Sequence, residues 1–182
     1  MIKFVVFLFL ITITVYTKDL SVDDSCTYIF KAKTWYDADL TMKVVKLEEK
    51  NFNLTIKQRN GAVVRKKTLK VPLGFNKENI SDIILKLTSD YNKDKIKVVY
   101  KNIKDGYKFQ YRGKKYKGFL LKLHLMINKK LYKLSYIFSE EFPVLGLFRF
   151  TVAQDISSKK KYKFKNVMLL KECRVKGKLI KL

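Results

Sequence analysis

The chain is poor in the residues from which most active sites are assembled. It holds one histidine, one tryptophan, two cysteines, two prolines and seven glycines among 182 residues. A single histidine excludes metal sites that need several imidazoles, and it weakens the case for a serine or cysteine triad. His124 also alternates with Leu123 and Leu125, so it projects from the other side of a strand than its apolar neighbours. No phosphate-cradling glycine loop, nucleophile elbow or zinc spacing is present. Asp37 and Asp39 read as solvated residues of a loop between the first two strands, and the adjacent Glu140 and Glu141 as part of a turn that ends a strand. We therefore expect no catalytic, cofactor-binding or metal-binding residues and no enzymatic activity.

Proline occurs only at 72 and 143, and no Pro-, Gly- or Ser-rich linker interrupts the chain. Residues 18–182 accordingly read as a single β-rich domain. Acidic residues are scarce as well: 16 carboxylates face 40 Lys and Arg, for a formal charge of +24. Only five of the cations are arginine, at 59, 65, 112, 149 and 174. Sequence-specific nucleic-acid recognition leans on the bidentate guanidinium and is not expected. The lysines are spread along every segment, which reads first as a solvated surface and second as a face for anionic polymers or membrane headgroups.

What the chain does have begins at its first residues. Lys3 is followed by an apolar run from Phe4 to Ile11 that continues through two threonines to Val15. A cation and then a dozen apolar or weakly polar residues form the pattern of a secretory signal, here residues 1–17. A membrane-spanning helix needs about 20 apolar residues, and Lys18, Asp19, Asp23 and Asp24 arrive sooner. The polar run before Cys26 does not suit a lipoprotein processing site. The expected location is exported, either periplasmic or secreted. Cleavage after Thr17 would remove the one charge of Lys3, taking +24 to +23.

Cys26 and Cys173 are the two cysteines, and in an oxidising compartment they are the disulfide candidates. Their pairing would close a loop of nearly the whole domain and make the first and last strands neighbours.

Alternation of apolar and polar residues dominates the rest. Tyr28, Phe30 and Ala32 oppose Lys31 and Lys33; Leu40, Met42 and Val44 follow, and then Phe52, Leu54 and Ile56. Asn60 and Gly61 form the strongest hairpin-turn signal, with a return strand from Ala62 to Val71. Ile80, Ile83, Ile84, Leu87 and Tyr91 recur at helical spacing and predict one amphipathic helix over about residues 77–90, packed on the sheet. Later strands are expected over 95–103, 107–112, 118–127, 131–139, 147–154 and 162–170, with a turn at Lys104, Asp105 and Gly106. Short connections favour antiparallel pairing. The expected fold is mainly β, a curved antiparallel sheet or incomplete barrel with that one helix. Its late strands are apolar on both sides in places, which suits a sheet covered on both faces or one that lines a cavity.

The stretch from Tyr132 through Phe138, Ser139, Glu140, Glu141, Phe142, Pro143 and Gly146 to Phe150 joins two aromatic strands. It resembles a segment of bacterial exported β-sheet proteins of largely unknown function, whose sheets look like the lipid clamp of periplasmic lipoprotein-carrier proteins. The resemblance implies that Ser139, Pro143 and Gly146 are structural turn positions. At the level of the fold it also implies a concavity that binds a lipid or another apolar ligand. The rival expectations are a basic module for anionic surfaces, or a structural or host-interaction protein with a filled core. No cofactor is expected, and the oligomeric state is left open.

Overall fold

A computed structural model describes residues 20–32, 35–60, 62–73, 80–82, 84–85, 96–142, 144, 146–156 and 161–180; for 30–32, 35–38, 60, 154–156 and 161–166 the description covers the backbone only. The proposed export signal, residues 1–17, lies outside the described residues. No helix among the described residues is long and apolar enough to cross a membrane.

Ten strands form one antiparallel, curved and unclosed sheet. They are β1 (Ser25–Ala32), β2 (Trp35–Leu47), β3 (Asn51–Asn60), β4 (Val63–Pro72), β5 (Ile96–Tyr111), β6 (Lys114–Ile127), β7 (Lys130–Phe138), β8 (Leu147–Ile156), β9 (Lys161–Val175) and β10 (Lys178–Ile180). Their spatial order is β4-β3-β2-β1-β9-β8-β7-β6-β5, with β10 pairing β9. Two meanders are thus fused. The first runs outward from β1 to the β4 edge, and the second runs inward from the β5 edge to β9. The β1–β9 ladder joins them.

This order leaves one long connection, from β4 at one edge to β5 at the other. Of the residues between these two edge strands, 73, 80–82 and 84–85 are described. Of the helix expected over 77–90, the described positions 80–82 and 84–85 are helical. Ile80 and Ile84 are buried in the main core, and Asp82 on the same turn lies 3.6 Å from Lys101 of β5. The remaining positions of that helix lie outside the described residues.

Alternation produces the core. Leu121, Leu123 and Leu125 of β6 are fully buried, while Leu120, Lys122 and His124 between them are not. The same parity places Leu134, Tyr136 and Phe138 of β7, Met42 and Val44 of β2, and Leu54 and Ile56 of β3 inside. The opposite parity carries polar cross-strand pairs such as Thr55 Oγ1 with Thr68 Oγ1, 3.0 Å apart.

Three expectations are corrected. Lys104, Asp105 and Gly106 do not form a turn; they lie within β5, where the register slips by one residue between Lys104↔Leu120 and Tyr107↔Gly118. The extra residue makes a β-bulge, with Gly106 at φ 62° and its N–H donating to Asp105 Oδ1 at 2.9 Å. The chain reverses instead at Arg112 and Gly113, both at positive φ, as a twist-matched two-residue hairpin requires. Asn128 with Lys129 and Lys176 with Gly177 close the β6–β7 and β9–β10 hairpins in the same way. Second, Asp37 and Asp39 belong to β2 and not to a loop; Asp39 is exposed, opposite Arg59 of β3. Third, the first hairpin is shifted by one residue. Asn60 is the last residue of β3 and pairs with Val63, so Gly61, which lies outside the described residues, and Ala62 stand between the strands.

Cys26 and Cys173 face each other directly across the β1–β9 ladder with Cα atoms 4.1 Å apart, and they form a disulfide that is 1% exposed on both sides. Replacing both by alanine should lower unfolding stability by roughly 4 to 5 kcal/mol, the loop-entropy value for so long a loop; a urea midpoint measured against the oxidised parent checks this. Gly118 makes a second close contact. A Cβ built there would stand 1.7 Å from Phe138 O, so Gly118→Ala must force β6 and β7 apart. The expected loss is about 3 kcal/mol or more, read from the same denaturant curve.

Candidate functional site

The inner face of the curved sheet carries the buried apolar core of the fold. Its floor is Tyr28, Met168, Phe150, Tyr136 and Leu121, contributed by β1, β9, β8, β7 and β6. Each is a position whose parity in its strand sends the side chain inward, and each is fully buried. The aromatic rings pack in series, with Tyr136 and Phe150 4.7 Å apart between centroids and Phe119 and Phe138 4.9 Å apart. Such pairs add about 0.5–1.5 kcal/mol beyond their area burial.

Two phenols stand in this floor with contrasting environments. Tyr28 Oη donates to the carbonyl of Leu147 at 3.1 Å, reaching past β9 to β8. Tyr136 Oη is buried and has no hydrogen-bond partner among the described residues. Burial raises the pKa of both phenols above the ordinary tyrosine value, so both stay neutral donors. An unsatisfied hydroxyl of this kind costs about 1–3 kcal/mol.

One end of the face is closed by aromatic side chains. The β5–β6 hairpin extends beyond the end of β7 and folds back. Phe109 stacks on Phe148 with centroids 4.6 Å apart, and Tyr116 lies 4.9 Å from Phe142. Tyr111 Oη donates to Leu170 O of β9 at 2.8 Å. On a flat sheet β5 and β9 would stand about 19 Å apart, so this bond measures how far the ribbon curls.

The connection from β7 to β8 anchors that closure. Ser139 is buried; its Oγ donates to Lys117 O at 2.7 Å, and its N–H donates to Gly146 O at 2.8 Å. The same Oγ accepts from the N–H of Glu141 at 3.4 Å. Gly146 has φ 62°, and Val144 is held at φ 67° with its side chain buried. A β-branched residue in that region stores about 1–3 kcal/mol of strain. Pro143 lies outside the described residues. Ser139 and Gly146 therefore meet each other through the backbone, at the rim of the aromatic end and away from Tyr136.

Sequence reading missed Tyr136, Gly118 and Asp24. Asp24 is buried beside the disulfide; its Oδ1 accepts from Lys176 N and its Oδ2 from Ser21 N, both at 2.8 Å. The spacing of Asp24 from its partners, 152 residues in one case, leaves no local signal. His124 stacks on Tyr100 with centroids 4.6 Å apart, on the face opposite Leu123 and Leu125. No group of three metal-ligating side chains occurs among the described residues. No family model, curated protein or solved structure matches the chain.

The phenols yield a pH prediction. Below pH about 10 the protons of Tyr28 and Tyr136 are bound in both folded and unfolded states, and their contribution to stability is complete. Above it the unfolded chain releases them and the fold does not, so stability falls by about 1.4 kcal/mol per pH unit for each phenol. In an alkaline titration, part of the phenolate absorbance should appear only with loss of the β circular-dichroism signal. Tyr136→Phe should delete one such late phenol and stabilise the ligand-free protein by about 1–2 kcal/mol.

Proposed function

We propose that this chain is a non-catalytic, exported carrier that binds a lipid or another apolar ligand against the concave face of its sheet. The observation that carries the reading is the Tyr136 hydroxyl: a neutral donor, fully buried in an apolar floor and without a partner among the described residues. A purely structural core gains nothing from that hydroxyl, whereas an amphiphile with one accepting oxygen would satisfy it. The affinity would come from the apolar floor, at about 0.8 kcal/mol per methylene buried, and Tyr136 would set where the polar end rests.

Access would come from the helical segment. It is held over the core by Ile80 and Ile84 and by the exposed ion pair of Asp82 with Lys101. Exposed ion pairs contribute about 0–1 kcal/mol, so an acyl chain that replaced the two isoleucines would lose little by breaking that pair. The disulfide is compatible with an oxidising location outside the cytoplasm, and the lysine-rich, signal-bearing chain fits a bacterial envelope, periplasmic or secreted. The resemblance of the β7–β8 segment to lipid-clamp proteins agrees with this use of the fold.

Native mass spectrometry of the oxidised protein, purified from its own compartment and then mixed with a long-chain fatty acid, tests the proposal. The expected result is a copurifying or added lipid-sized adduct, with binding weakened about fivefold or more in Tyr136→Phe. A ligand-free mass that fatty acid does not shift overturns it.

A further inference from the structure

The β3–β4 hairpin combines two features that a soluble surface usually keeps apart. Val63 and Val64, just after the turn, are 57% and 51% exposed, more than any other large apolar side chain described. Around them, residues 51–72 carry six cations and no Asp or Glu. Lys70 is neutralised by Glu48 at 2.7 Å. The other five, Lys57, Arg59, Arg65, Lys66 and Lys67, cluster toward the tip.

The ladder places Lys57 directly opposite Lys66. Cross-strand partners share a face with Cβ atoms about 5 Å apart, and like charges there repel. Further along that face Arg59 pairs with Val64 on one side and with Asp39 of β2 on the other, so a carboxylate stands beside Arg59. Thr41 is the β2 partner of Lys57.

Protection of an open sheet edge explains part of the pattern, because β4 is an edge strand and lysines discourage strand addition. It does not explain Lys57, which lies on β3 inside the sheet. Nor does it explain two valines at the tip of the edge to be protected. Valines exposed on either face of the hairpin tip, with Lys57, Arg59, Arg65 and Lys66 close behind them, match an interface with apolar depth below an anionic layer, as a phospholipid surface provides. A phosphate between the two ammonium groups would also relieve the Lys57–Lys66 repulsion.

We infer that the β3–β4 hairpin is a membrane-docking element: Lys57, Lys66 and the neighbouring cations engage anionic lipid headgroups while Val63 and Val64 enter the headgroup–acyl boundary. Vesicle binding by this hairpin does not depend on whether the concave face binds a lipid.

Cosedimentation of the purified, oxidised protein with phosphatidylglycerol-containing vesicles, against pure phosphatidylcholine vesicles and soluble polyphosphate, tests it. Binding should require phosphatidylglycerol and fall with salt. Lys57→Gln with Lys66→Gln should weaken it about fivefold per charge, roughly thirtyfold together, and should not lower the melting temperature, since a repulsion is removed. Val63→Ser with Val64→Ser should weaken vesicle binding and leave polyphosphate binding unchanged. Vesicle binding that is absent, that ignores both double variants, or that the valine variant leaves intact overturns the inference; the last result would mark a site for soluble polyanions instead.

Discussion

The ladder between β1 and β9 holds the molecule together. Each meander on its own is an open sheet with one bare inner edge, and each has part of the apolar interior. Pairing Ser25–Ala32 with residues 166–174 merges the two parts into one. The contacts at this seam are of several kinds. The disulfide crosses it at Cys26 and Cys173, Asp24 binds the backbone of Lys176 just beyond it, and Tyr28 reaches through it to Leu147. The register slips once along the ladder, at Lys171, which lets Leu170 and Cys173 both point inward although their spacing is odd. A bulge at that point reconciles hydrogen bonding with the placement of the sulfur.

Curvature is the second constraint. Six of the nine described ladders contain a register shift, and each shift inserts one residue on one strand. Bulges bend a strand and increase its twist, so their accumulation turns a nine-strand ribbon into a trough. At Phe148, the bulge in β8 next to Phe138 lets Leu147 and Phe148 both be buried. That doubled position receives Phe109 and Tyr111 from the returning hairpin. The aromatic end of the trough follows from one inserted residue.

Much of this was legible in the sequence, and the reasons differ by element. Period-two alternation in Tyr28, in Leu40 to Val44 and in Leu121 to Leu125 reports which face is dry, and those residues are buried as the alternation requires. The minimal cysteine count pointed to the pairing of Cys26 with Cys173 and through it to the adjacency of β1 and β9, a contact that no local pattern contains. Asp105–Gly106 misled because an αL glycine serves a bulge as well as it serves a turn. The true reversal at Arg112–Gly113 lies between two lysine-rich strands, where little apolar contrast marks the boundary. For the candidate site, composition suggested an apolar interior, but Tyr136 reads as one more inward aromatic. Whether its hydroxyl finds a partner depends on what β6, β8 and the helical segment bring near it, and sequence spacing does not encode that.

The seam also has a consequence for how the molecule is made. In a chain threaded through a pore from its N-terminus, β1 emerges first and waits with one edge unpaired until residues 166–174 follow, more than 130 residues later. Throughout that interval the first meander is a four-stranded sheet with both edges open and part of an apolar trough exposed. Long-range pairing of this kind slows folding and lengthens exposure to wrong partners. The lysines of the β4 edge lie along the flank that stays open even in the finished sheet, where charge disfavours strand addition by a neighbouring chain.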